Sequence, residues 1–133
     1  MWLLKTEPTD YSYDQLEQDG RTRWDGVRNP AALKNIRAMK PADRAFLYHT
    51  GKEKAVVGVV EIATAPYPDP EANDVKLVVV DIEPRARLGR PVTLGEIKAL
   101  PAFEGSPLVR QGRLSVVPLT ADQWRTIEEW SRA

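Results

Sequence analysis

Apolar positions fall into short blocks separated by proline and glycine, with helical spacing at only a few places. The first block, Trp2-Leu3-Leu4-Lys5, suits a buried strand, and Pro8 stops any ladder soon after Thr6 and Glu7. Ser12 with Gln15 three residues on is a capping-box pattern, which predicts a short helix ending near Gly20. Arg21, Arg23 and Trp24 then read as loop. Asn29 followed by Pro30 is a helix start, because Asn accepts backbone N–H bonds and Pro suits the first helical position. Leu33, Ile36 and Met39 carry that helix on its buried side, Lys34, Arg37 and Lys40 on others, and Pro41 closes it.

The middle of the chain reads as strands. Residues 45–50 are aromatic-rich and end at Gly51, and residues 55–63 are β-branched, with Gly58 as a bulge or close-approach point. Their spacing predicts a hairpin. Three prolines within residues 66–70 predict a stiff loop that presents Tyr67. Residues 75–83 form another strand. Residues 84–91, with Arg85, Arg87 and Arg90, read as a bend or edge, most simply a solvated one. Thr93 with Glu96 and Thr120 with Gln123 are two more capping boxes. The first opens a short helix to Leu100. The second opens a C-terminal helix in which Trp124, Ile127 and Trp130 are packing residues. Residues 103–111 read as loop and residues 113–117 as a last strand stopped by Pro118. Strands outnumber helices, and no repeat or linker divides residues 1–133. The expectation is one α+β domain on a mixed, strongly curved sheet or small barrel flanked by short helices.

Composition narrows the chemistry. The 133 residues are 42% hydrophobic and 29% charged, ordinary for a globular domain. With no cysteine, thiolate nucleophiles, disulfides and Cys-ligated metals are excluded, and the single histidine, His49, excludes a His-rich metal site. No cofactor or metal is expected. No apolar run is long enough to cross a bilayer, and Lys5, Glu7 and Pro8 come too early for a signal peptide, so a cytoplasmic location is expected. Nineteen basic residues balance nineteen acidic ones. A neutral chain does not grip nucleic acid over its whole surface; it would need a local patch or capture of a single base.

Two stretches carry chemistry to spare. Trp24-Asp25-Gly26-Val27-Arg28-Asn29 packs a flat aromatic, an anion, a cation and an amide into one turn held at a helix start. Lys5-Thr6-Glu7 sets two opposite charges and a hydroxyl where a core strand leaves its sheet; its plain reading is an exposed strand end. With Tyr48-His49-Thr50, Tyr67-Pro68-Asp69 and Arg113-Leu114-Ser115-Val116, these motifs resemble, in order and over the whole chain, the EVE domain family of the PUA-like superfamily. That superfamily also includes YTH and ASCH domains.

The resemblance implies a PUA-like pseudo β-barrel and a module that binds nucleic acid containing a modified base, DNA ahead of RNA. The family is linked to 5-methylcytosine-type bases flipped from the stack into a pocket. Carried over by motif, that pocket is lined by Lys5, Thr6, Glu7, Trp24, Arg28, Asn29, Tyr48, His49 and Thr50, with Tyr67 and Ser115 as further candidates. A flipped base needs one flat face and a few fixed hydrogen-bonding groups. Trp24 supplies the face, with Tyr67 closing a sandwich. Asn29, Glu7, Thr6 and Thr50 supply partners for the base edge. Arg28, Arg21 and Arg23 lie near enough in sequence for flanking phosphates. Each residue also has a structural reading: Trp24 as core, Asn29 as a helix cap, His49 as a satisfied strand histidine.

The rival reading is a small ASCH-like hydrolase of a modified nucleoside, with Lys5 activating Thr6 and Glu7 as partner. Alternation along a strand opposes it, since Lys5 and Glu7 share a face and Thr6 points away unless the strand ends there.

Overall fold

The structure, a computed structural model, describes residues 1–132. Its frame is one mixed sheet of β1 (Trp2–Thr6), β2 (Thr22–Trp24), β3 (Arg44–His49), β4 (Ala55–Ile62), β5 (Tyr67–Pro68), β6 (Val78–Thr93) and β7 (Val116–Pro118). The order across it is β2-β6-β4-β3-β1-β7, with β5 added to β6. β1 runs parallel to β3 and antiparallel to β7; β3–β4 is the expected hairpin. Register shifts in the β3–β4 and β4–β6 ladders bend the sheet strongly, as bulges do. β2 and β7, at opposite ends of the order, do not pair. The sheet is a half-barrel with an open seam.

Among the described residues five helices flank it: α1 (Tyr13–Asp19), α2 (Pro30–Arg37), α3 (Leu94–Lys98), α4 (Pro107–Arg110) and α5 (Ala121–Ser131). Helix α1 stops at Gly20 in the left-handed conformation, as expected. Only half of its predicted box forms: the Ser12 side chain accepts from the Gln15 backbone, but the Gln15 side chain turns to Asp19. Both later boxes are complete. Helix α5 lays Trp124 flat on Phe46, ring centroids 3.8 Å apart, with Ile127 fully buried beside them. Helix α2 packs against β6 and β7 across the seam, and its Asn35 amide donates to the Val116 carbonyl at 2.8 Å.

Several sequence expectations are corrected. Thr22–Trp24 is a strand rather than loop, too short for its alternation to be read, and it pairs with residues 80–82 of β6. Residues 84–91 continue β6 instead of bending away from it. Pro84 borders an extra residue in the ladder with β4 and Pro91 lies in a longer irregularity, so neither missing N–H breaks a regular pair. Tyr67–Pro68 joins the sheet as an outer strand, where proline is tolerated. Residues 101–111 contain a 3₁₀ turn, Pro101–Phe103, and α4, capped by Ser106. The last strand starts at Val116 and includes Pro118.

One ion pair ties this frame together measurably. The Arg90 guanidinium holds the Glu96 carboxylate at 2.9 Å, and the Thr93 backbone N–H adds to it, bringing the Glu96 carboxyl from 4.5 to about 2. A carboxyl depressed in the fold contributes stability above its unfolded value, and that stability is lost as pH falls through the folded one. Glu96→Gln is therefore expected to lower the melting temperature at pH 7 and to converge on the parent as pH falls from about 4.5 to about 2. Thermal melts by circular dichroism across that range check this; a gap unchanged at pH 2 contradicts it.

Candidate nucleic-acid interface

A concavity of about 670 Å³ opens at the seam. Its walls come from both sides of the gap: Thr22–Trp24 of β2 with the loop that follows, and the end of β1 with Ser115 just before β7. A half-barrel that fails to close leaves backbone and side chains from two edges facing one space.

The β2 wall is set by Trp24. Only 8% of it is exposed, and Tyr11 meets its ring edge-on, centroids 6.2 Å apart at 77°. Trp24 is thus the floor of the cleft rather than a free-standing platform. The chain then turns through Gly26 at φ +78°, a conformation side chains disfavour, which keeps Asp25, Val27 and Arg28 on the rim. Asn29 fixes the far end: its Oδ1 accepts from the N–H groups of Ala31 and Ala32 at 2.9 and 3.1 Å.

The β1 wall ends where the strand ends. Register pairs Lys5 with Tyr48 and Thr6 with His49. The Lys5 ammonium donates to the Gly112 carbonyl at 3.2 Å and lies 5.8 Å from the Tyr48 ring centre. Burial pulls its pKa below the ordinary lysine value. The Thr6 hydroxyl donates to the Tyr11 carbonyl at 2.7 Å, which ties β1 to the residue braced against Trp24. Glu7 accepts from Thr9 and Thr50 hydroxyls at 3.2 and 3.4 Å. Lys5 is turned to Gly112 and Thr6 to Tyr11, an arrangement that offers positioned polar groups.

Of the eleven residues expected to share a pocket, the cleft brings together Lys5, Thr6, Glu7, Trp24, Arg28 and Ser115. The other five lie elsewhere. Asn29 faces a neighbouring hollow with Arg110 and Arg113, and Tyr48 and Thr50 line another beyond Lys5. His49 points to the opposite side of β3, where its Nε2 accepts from the Tyr13 N–H at 3.1 Å and its Nδ1 meets Glu53 at 2.8 Å. Tyr67 donates to Asp81 at 2.5 Å; burial first, then Asp81, pushes its pKa up. Arg21 and Arg23, expected near phosphates, are held by carboxylates: Arg21 by Asp81 and Glu83, Arg23 by Glu71 at 3.4 Å and Asp69 at 3.9 Å.

Sequence reasoning missed Asp10, Tyr11 and Thr22 as cleft residues. Tyr11 had a signal, an aromatic four residues past Glu7, close enough to fold back over a strand end. Among the described residues no cluster of His, Asp and Glu could hold a metal, and no helix is long and apolar enough to cross a membrane.

The model of the EVE domain matches residues 1–130. The chain belongs to the EVE domain family. Rat thymocyte nuclear protein 1 is 34% identical to it over 158 aligned positions, covering 92% of this chain and 70% of that protein. A solved structure from Rhodopseudomonas palustris shares 41% identity at TM-score 0.93, covering 98% of this EVE domain and 92% of that chain. The human THYN1 protein, crystallised in complex with DNA containing 5-methylcytosine, shares 29% identity at TM-score 0.88, covering 99% and 97%. The half-barrel seen here is thus the EVE, PUA-like fold that the sequence motifs implied.

Proposed function

We propose that this EVE domain binds DNA carrying a modified cytosine and holds that base, flipped from the duplex, in the seam cleft. The observation that carries the proposal is the cleft itself, which presents one aromatic floor and several fixed polar groups in about 670 Å³. Support comes from the human THYN1 complex with 5-methylcytosine DNA, whose fold aligns over nearly the whole of both chains.

Extruding a base costs a few kcal/mol of lost stacking and pairing, which a pocket must return through stacking and edge hydrogen bonds. Trp24 offers an apolar surface for the ring and its 5-substituent. Glu7 is an acceptor for the exocyclic amine, and the Lys5 ammonium is a donor for the ring carbonyl or N3. Thr6, having donated its proton to Tyr11, presents oxygen lone pairs only. Ser115 can give or accept. A cytosine edge needs this mixture.

Fluorescence anisotropy with labelled duplexes tests the reading. A duplex with one 5-methylcytosine is expected to bind about tenfold more tightly than its unmodified twin, since a discriminating contact is worth about 1–3 kcal/mol. Equal affinity for methylated, hydroxymethylated and plain cytosine would sink it.

A further inference from the structure

Charge in this protein is balanced in number but not in placement. Six arginines, at positions 21, 23, 85, 87, 90 and 125, are clamped to carboxylates, at distances such as 3.3 Å for Arg21–Asp81 and 2.9 Å for Arg90–Glu96. Arg28, Arg110, Arg113, Lys54 and Lys98 are different. All five are exposed, and none has a carboxylate within 4.0 Å among the described residues.

Of the thirteen lysines and arginines outside the six ion-paired ones, these five, with Lys5, line the cleft or a hollow beside it. Arg28 sits on the rim of the seam cleft. Arg110 and Arg113 line a hollow of about 310 Å³ that shares Gly112 with a second hollow of about 230 Å³, lined by Lys54 and Lys98. Lys5 belongs to both the cleft and that second hollow, and its ammonium holds the Gly112 carbonyl. The three depressions are therefore contiguous around Gly112. On the other side of the loop at residues 25–28, the neighbouring hollow carries Asp25, Asp69 and Glu71 beside Arg28, with Arg23 pairing Asp69 and Glu71. The cleft has a basic shoulder on the α4 side and an acidic one on the β5 side.

A base in the cleft remains joined to phosphates on both sides, and each must pass over some shoulder. We infer that the phosphodiester strand bearing the captured base runs over the α4 shoulder, past Arg28, Arg113 and Arg110 toward Lys98 and Lys54. On the opposite side Asp25, which has no paired cation among the described residues, disfavours a phosphate. This rests on the base-capture reading above. Cations already neutralised by carboxylates release few counterions, whereas unpaired ones release about 0.9 each on duplex DNA. A neutral protein can thus bind a polyanion locally and with one orientation.

The experiment measures affinity for the methylated duplex against potassium chloride concentration, for the parent and two double variants, Arg110→Gln/Arg113→Gln and Lys54→Gln/Lys98→Gln. Each double variant is expected to make the slope of log affinity against log salt shallower by about 1 to 2. Arg85→Gln with Arg125→Gln, two cations clamped by carboxylates, serves as the control and is expected to keep the parent slope. Melting curves verify that each variant is folded. Parent-like slopes in both double variants overturn the assignment, as does a control that loses as much. So does an acidic polypeptide that binds as tightly and depends on the same arginines. Failure of the base-capture reading shows separately: the double variants then have the predicted slope changes, but the parent has no preference for the methylated duplex.

Discussion

Gly58→Ala is expected to destabilise the protein by about 3 kcal/mol or more, the upper end of overpacking costs. A Cβ built at Gly58 falls 2.4 Å from Cε2 of Tyr13 and 2.7 Å from Cζ. Tyr13 cannot step aside. Its ring is fully buried, its hydroxyl donates to the Val59 carbonyl at 2.8 Å, and its N–H donates to His49. The Arg87 guanidinium lies 5.1 Å from the ring centre on the outer side. Relief would require moving α1 or widening the bulge at Leu47 and Tyr48. Against a typical total of about 5–15 kcal/mol, such a loss is large. Urea denaturation measures it, and a midpoint unchanged from the parent would show that Tyr13 is not pinned as described.

Trp24→Ala is expected to weaken binding to the methylated duplex by roughly 5- to 150-fold, the equivalent of about 1–3 kcal/mol for one stacked base. Because Trp24 is 92% removed from solvent, the same change also costs fold stability, on the order of 3–5 kcal/mol. The two effects separate with Trp24→Phe. Phenylalanine refills most of the space below Tyr11, so the melting temperature should largely recover, while the smaller ring leaves base affinity between the parent and the alanine variant. A folded phenylalanine variant of intermediate affinity fits the proposal; parent-like affinity in folded Trp24→Ala refutes it.

What was legible in the sequence was local. Thr93 with Glu96 and Thr120 with Gln123 announce helix starts because all their partners lie within one turn. Asn29 with Pro30 does the same, and it positions the loop that carries Arg28. The long strand β6 was obscured because its prolines are tolerated only by bulges opposite β4, which no local pattern reveals. In the site, the motif Lys5-Thr6-Glu7 and the Trp24 turn met as expected. Tyr48-His49-Thr50 was carried over as a unit, but neighbouring strand residues face opposite ways. Tyr48 turns toward Lys5, which leaves His49 to cap the start of α1 from the other face. Tyr67 illustrates a different failure: its fate depends on Asp81, placed by pairing of β6 with β2 and β5.

The bond from Lys5 to Gly112 joins residues 107 positions apart, and the Lys5 N–H also reaches the Ser115 carbonyl at 2.9 Å. Bringing chain segments that distant together costs about 4 kcal/mol of loop-closure entropy, and such contacts slow folding. Most of the cleft lining is therefore synthesised early, while the contacts that fix the β1 side come late. A polypeptide stalled or cleaved before residue 112 has Trp24 and the end of β1 but lacks Ser115 and the Gly112 carbonyl that holds the Lys5 ammonium. The complete cleft is a property of the finished topology, and no shorter stretch of the chain inherits it.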